Sequence, residues 1–334
     1  MSMHEQQRRN VLVTGGMGFI GTAIVRRFAQ RYRVTVADRL DFGMSPAIDA
    51  MCATGEVAFV ETDLSTLSPL HDRVERGEFD VVVHLASLTH IPLCERFPEF
   101  AYQSNVLSAL SLLHRVSPGC RVVNFSTSST YAPEDVPHRE ADSPLMPVDF
   151  YGWTKRHVED LARYYAAHRG ISVLNIRPAN AAGHGETNRK LLGTILEQLR
   201  AGGPVIELGN LSPRRDFIHV DDVAWVIDRL VEVWPVSPGT VETFNVGTGY
   251  EPVSVGTLVA RMIELAGGGR EVRSVGDRRR SAERLLLAVD VTKLRRTLPD
   301  YRPRRLEEWL PALVKDPGLR LDSRIERRLV SGRA

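Results

Sequence analysis

The apolar run Val11 to Thr14 passes without a loop into Thr14-Gly15-Gly16-Met17-Gly18-Phe19-Ile20-Gly21, and a helical pattern, Phe19 to Arg31, begins inside that motif. A strand that turns on glycines straight into a helix leaves few folds open. Glycine permits the tight turn and lets backbone approach a pyrophosphate, whose charge meets the N–H groups and positive dipole end of the helix. Asp38 narrows the reading further. It follows a second apolar run, Val34 to Ala37, 17 positions beyond Gly21, where a carboxylate accepts hydrogen bonds from both hydroxyls of an adenosine ribose. The pattern predicts a dinucleotide site built on Gly15, Gly18, Phe19, Ile20, Gly21 and Asp38. A 2′-phosphate would meet Asp38 with like charge, which favours NAD over NADP. Arg39 tempers that preference, because its guanidinium can swing to such a phosphate.

Further valine- and isoleucine-rich runs occur at Val57 to Val60, Asp80 to Ala86, Arg121 to Ser126 and Ser172 to Arg177. They read as strands buried on both faces. Helical periodicity fills the gaps, as in Ala101 to Arg115 and Gly152 to Arg169, so the expected class is α/β, a doubly wound parallel sheet of the Rossmann type. After Arg177 the rhythm loosens around a helical stretch, Lys190 to Arg200, and a short strand, Val205 to Leu208. It resumes over Asp216 to Glu232, and Thr243 to Val246 offers one more strand; a helix then runs from Val253 to Ala266. The expected division places 1–177 and about 216–250 in a cofactor domain. About 178–215 and 251–326 form a smaller, discontinuous α/β lobe, with 327–334 a polar tail, and the polar stretch after Lys315 need not be ordered.

Charge excludes other classes. Lysine and arginine number 43 against 41 aspartates and glutamates, so no chain-wide cationic field exists to hold nucleic acid or an anionic membrane. No apolar stretch approaches the roughly 20 residues of a membrane span. Met1 to Asn10 lacks the apolar core of a secretion signal. Cys52, Cys94 and Cys120 are odd in number and scattered, which suits reduced thiols in a cytoplasmic protein, and no spacing suggests a metal site.

Tyr151 and Lys155, four residues apart at the start of a helical pattern, share one face. A tyrosine ordinarily keeps its proton until about pH 10; a nearby ammonium and a cationic nicotinamide both favour the phenolate. Tyr151 then takes a hydroxyl proton while hydride leaves the same carbon for NAD, and Lys155 can also hold the nicotinamide ribose. The strand before it delivers Ser126-Thr127-Ser128-Ser129-Thr130-Tyr131 at its C-terminal end, where ligands bind in doubly wound sheets. A hydroxyl there can donate to the substrate oxygen.

With these elements the sequence resembles the extended short-chain dehydrogenase/reductase family, particularly its NAD-dependent sugar-nucleotide epimerases, dehydratases and ketoreductases. Further matches are Asp63-Leu64, His84-Leu85-Ala86-Ser87, Asn105-Val106, Arg177-Pro178-Ala179-Asn180, the stretch Arg215 to Ala224, and Phe244-Asn245-Val246-Gly247. The resemblance implies that Asp63 and Leu64 flank the adenine and that Leu85, Ala86 and Ser87 line the cofactor channel. Asn105, Ser126 and Pro178 fall on the cofactor side. Thr127 joins Tyr151 and Lys155 in catalysis, while Ser128, Asn180 and Arg215 contact a nucleotide-diphosphate sugar. Arg279, or its neighbours Arg278 and Arg280, supplies a second phosphate contact. Leu208-Gly209-Asn210-Leu211 resembles the matching stretch of enzymes acting on GDP-sugars, with UDP- and dTDP-sugars left open. The family's helices also imply a homodimer.

One departure shapes the functional expectation. Family dehydratases usually carry a glutamate after the catalytic threonine to expel a hydroxyl as water, and here Ser128 and Ser129 stand there. The expectation is a nucleotide-sugar epimerase acting at C4 through a 4-keto sugar. The alternatives are a 4-ketoreductase, a dehydratase, and a catalytically silent NAD-binding sensor. His84 is expected to pack at a strand end, His219 to anchor a turn, and His90 and Cys94 to stand in a loop that can face the sugar.

Overall fold

The computed structural model describes residues 8–235, 237–276, 284–320 and 324–331. Its centre is a sheet of β1 (Asn10–Thr14), β2 (Arg33–Asp38), β3 (Val57–Glu61), β4 (Val81–His84), β5 (Arg121–Phe125) and β6 (Ser172–Pro178), completed by the later strand Val241–Val246. The spatial order is Val241–Val246, β6, β5, β4, β1, β2, β3, and every pairing is parallel. The chain leaves β1 in one direction and returns to β4 on the other side. That reversal opens a crevice at the strands' C-terminal ends.

Both faces of this sheet are buried, which explains the unbroken valine runs. Val11, Val13, Val83 and Val123 point into one core, and Leu12, Val82, Val122 and Val173 into the other. A separate apolar cluster joins Leu192, Ile195 and Leu196 to Leu258, Met262, Trp309 and Leu310. Around it lie the short strands β7 (Asn180–Ala182), β8 (Val205–Leu208), β9 (Arg214–Arg215) and β10 (Phe217–His219).

Two expected elements differ. The helix expected over Ala101 to Arg115 is broken into Pro98–Tyr102, a wider π-helical turn at Gln103–Leu107, and Ser108–Leu113. The turn places Asn105, whose side chain bonds Leu88 N (2.6 Å), Leu88 O (3.1 Å) and Thr154 Oγ1 (2.9 Å). The stretch after Lys315 is not a loose tail among the described residues. Gly185 N–H donates to Pro317 O, Arg320 N–H to Glu186 O and Arg324 N–H to Asp41 O. A helix, Arg324–Val330, then buries Ile325 and Leu329.

Beneath the crevice, Glu159 and Arg177 form a buried pair at 2.6 and 2.8 Å. Ser126 donates to the same carboxylate at 2.5 Å, and Arg177 also donates to Tyr131 Oη at 2.9 Å. Removing one partner strands a buried charge at a cost of about 3–5 kcal/mol. Arg177→Met is therefore expected to lower the unfolding free energy by that amount in urea titrations; a loss below about 1 kcal/mol would show that the pair does not hold these elements together.

Candidate active site

The C-terminal strand ends open into a cavity of about 540 Å³, within the usual range of ligand pockets. Gly15, Gly18, Phe19, Ile20, Gly21, Asp38, Arg39, Asp63, Leu64, Leu85, Ala86, Ser87, Ser126 and Pro178 line it from the cofactor side. Thr127, Ser128, Tyr151, Lys155, Asn180 and Arg215 line it as well, together with Leu208, Gly209 and Asn210. One expected residue is absent from the wall. Asn105, 1% exposed, spends its amide bracing the loop after β4 against the Tyr151 helix. Arg278, Arg279 and Arg280 lie outside the described residues.

The glycines are sterically required. Gly15 has φ +72, and a Cβ there would stand 2.7 Å from Ala86 N; a Cβ on Gly21 would stand 2.2 Å from Gly15 O. Asp38 pins the turn from below, its Oδ2 accepting from Met17 N at 3.0 Å and its Oδ1 from Leu40 N at 2.8 Å. Burial raises its carboxyl above the usual range, while those two N–H bonds oppose the shift. Each oxygen retains a second lone pair for a ribose hydroxyl. This clasp and the glycine cradle fit a dinucleotide.

Arg39 corrects an expectation. It is not poised to swing toward a 2′-phosphate, because its guanidinium is held by Asp41 (2.6 Å), Asp63 (3.3 Å) and Ser104 (3.0 Å) and lies over the Phe100 ring. It neutralises the carboxylates around the pocket instead. A residue that sequence reasoning missed completes this end: Arg320 donates to Met17 O, Phe42 O and Gly43 O at 3.1 to 3.2 Å. It is 303 positions from Met17, beyond the reach of any local pattern.

The reactive end is built by Phe150–Arg169, which Asp149 caps by accepting from Gly152 N at 2.7 Å. The cap sets Tyr151 in the first turn, where it shares the cavity wall with Thr127, whose side chain acts to lower the phenol. Lys155, four residues on, is 3% exposed and donates to Phe125 O at 2.7 Å. Burial lowers Lys155 to about 7 and raises Tyr151 above the usual phenol range. The expected effect of the ammonium on the phenol is not among the influences on Tyr151. The causes are burial, the Cys94 thiol, Thr127 and Asp149, since the Lys155 nitrogen is turned onto a backbone carbonyl.

His84 is buried at its strand end, bonded to Thr14 Oγ1 at 2.8 Å and lowered to about 3 by burial, so it is not a base. His219 caps the following helix through Asp221 N, as expected of a turn anchor. His90 lines the cavity, whereas Cys94 is fully buried behind Tyr151 with its thiol pushed up to about 12 by burial. Among the described residues no cluster of histidine, cysteine and carboxylate suits a metal ion, and no helix is long and apolar enough to cross a membrane.

Residues 11–247 match the model of the NAD dependent epimerase/dehydratase family. The chain belongs to that family. It is 30% identical to UDP-glucose 4-epimerase 2 of Oryza sativa subsp. japonica, over 84% of this chain and 75% of that one. It is also 30% identical to GDP-6-deoxy-D-talose 4-dehydrogenase of Aggregatibacter actinomycetemcomitans, over 72% and 74%. Among solved structures, DesIV, a dTDP-glucose 4,6-dehydratase from Streptomyces venezuelae with NAD bound, superposes with a TM-score of 0.80 at 26% identity, over 92% of this chain and 96% of that one. Family membership makes NAD the cofactor, in agreement with the Asp38 clasp.

Because the folded protein depresses Lys155 toward 7 from its ordinary 10.5, the unfolded chain binds more protons between those values, and stability rises with pH across that window. Lys155→Met removes this burden. In the cofactor-free protein its Tm is expected to exceed that of wild type below pH 7, with the gap closing toward pH 10; a constant gap would show that Lys155 is not depressed.

Proposed function

We propose that this member of the family is a nucleotide-sugar epimerase that inverts C4 through a 4-keto sugar. The observation that carries the reading is a single cavity wall that brings Thr127, Tyr151 and Lys155 together and continues past Asn180 and Arg215. When bound, NAD supplies the hydride acceptor. Tyr151 takes the proton of the C4 hydroxyl at its phenol oxygen, and Thr127 keeps that hydroxyl and the phenol in one hydrogen-bonded chain. Lys155, on the same helical face and lining the same cavity, holds the nicotinamide ribose. Asn180 and Arg215 hold the diphosphate, the guanidinium suiting an anion with two oxygens. With Ser128 and Ser129 in place of acids, no carboxylate from that turn expels a neighbouring hydroxyl, which speaks against a dehydratase.

A 4-ketoreductase is the second reading, favoured by the similarity to the talose 4-dehydrogenase. The protein also divides, on this proposal, into a cofactor domain of 1–177 and about 216–250 and a sugar lobe of about 178–215 and 251–326. It acts in the cytoplasm as a homodimer. Tyr102, Leu107, Trp153 and Tyr164, each 39% to 55% exposed on the helices Pro98–Leu113 and Phe150–Arg169, supply an apolar face for that contact.

Incubating the purified protein with UDP-, GDP- and dTDP-hexoses and no added cofactor is expected to give the C4 isomer of one of them, while stoichiometric NADH consumption would select the reductase. Tyr151→Phe is expected to lower turnover by about 10²- to 10⁴-fold while leaving NAD bound; unchanged turnover would remove the tyrosine from the mechanism. Trp153→Glu is expected to shift the protein from dimer to monomer in sedimentation velocity, and a wild-type protein already monomeric would refute the dimer.

A further inference from the structure

Arg284 is a buried cation that neither the fold nor the reaction accounts for. It is 5% exposed and lines the cavity beside Ser128, Ser129 and Asp149. Its Nη2 donates to Ser129 O at 2.7 Å, whereas its Nη1 is buried without a hydrogen-bond partner. Among the described residues no carboxylate stands within ion-pairing distance of it. Asp149, the acid whose charge acts on it, is engaged as the cap of the Tyr151 helix. A guanidinium keeps its charge throughout the pH range of a folded protein, and a buried charge without a counter-ion is strongly unfavourable. Arg177, equally buried, shows the ordinary solution, a carboxylate in direct contact.

Position assigns the missing anion to the sugar. Ser129 follows Thr127 by two residues, and its carbonyl oxygen lies 2.6 Å from where a Cβ on Gly152 would stand. Arg284 therefore reaches the wall that carries Tyr151. Arg215 lies elsewhere on the same layer. It pairs with Leu287, in the short strand Leu286–Leu287 that follows Arg284. Leu287 is three positions from Arg284, a backbone span of at most about 10 Å. The cavity thus carries two guanidinium groups, of which Arg284 is the one beside Ser128, Ser129 and the wall of Tyr151.

We propose that Arg284, with the hydroxyls of Ser128 and Ser129, forms a subsite for a carboxylate attached next to the reacting carbon, so that the preferred substrates are nucleotide-linked uronic acids. This deepens the nucleotide-sugar reading and rests on it. The carboxylate accepts from the unpartnered Nη1 and supplies the counter-charge that the empty site lacks.

Calorimetric titration of the full-length protein with two matched pairs, UDP-glucose with UDP-glucuronate and GDP-mannose with GDP-mannuronate, tests the subsite. In the pair that binds, the acidic sugar is expected to bind at least about tenfold tighter than the neutral one, as for a charged hydrogen bond. Arg284→Met is expected to bring the uronate down to the neutral sugar's affinity, with Arg284→Lys retaining part of the preference. The wild-type comparison stands alone if either variant fails to fold. Equal or tighter binding of the neutral sugar overturns the subsite and leaves the nucleotide-sugar reading intact. An equal loss for both sugars and for free UDP or GDP in Arg284→Met also overturns it, moving the contact to the diphosphate. Failure of all four sugars to bind overturns both readings.

Discussion

Glu159 has no exposed surface, and its two oxygens receive Arg177 from β6 and Ser126 from the end of β5. Arg177 passes the connection to Tyr131, whose hydroxyl donates to Asn245 of the strand Val241–Val246. One ion pair therefore ties the helix that carries Tyr151 and Lys155 to the segment that carries Thr127 and to two neighbouring strands. A buried pair contributes little net stability compared with apolar packing, but it punishes any other arrangement. Here it fixes the segment of Ser126 and Thr127 against the helix that carries Tyr151 and Lys155.

The same economy governs the cofactor end. Asp38 is costly to bury, and two backbone N–H groups offset part of that cost. The bonds also hold the glycine turn and the loop after β2 in fixed relation, so the carboxylate shapes the cradle and offers its remaining lone pairs to the ligand. Arg39 and Arg320 surround this acid, one engaged by carboxylates and the other by carbonyl oxygens.

Much of this was legible in the sequence, because parallel strands buried on both faces must be apolar throughout and glycine turns must fall where a Cβ has no room. The valine runs located the six leading strands to within two residues, the largest offset being at the end of β4, where the run continues past His84 into the cavity wall. The helical period put Tyr151 and Lys155 on one face and the strand end delivered the hydroxyl cluster Ser126 to Thr130, from which only the family resemblance singled out Thr127. The π-helical turn was not readable. It accompanies the bonds of the Asn105 amide to Leu88 and Thr154, and nothing in the local periodicity records a tertiary bond. Arg284 and Arg320 escaped for a related reason: a basic residue in a polar stretch looks the same whether it faces solvent or is carried into a cavity by distant chain.

The contact between Arg320 and the loop after the first strand has a bearing on how the molecule is made. It closes a loop of 303 residues, so it belongs to the late, entropically expensive contacts of assembly. The rim of the cradle gains its last three donors only after residue 320 has emerged. The two loops that flank the cradle, one at Met17 and the other at Phe42 and Gly43, are thus joined by a single side chain from the far end of the sequence.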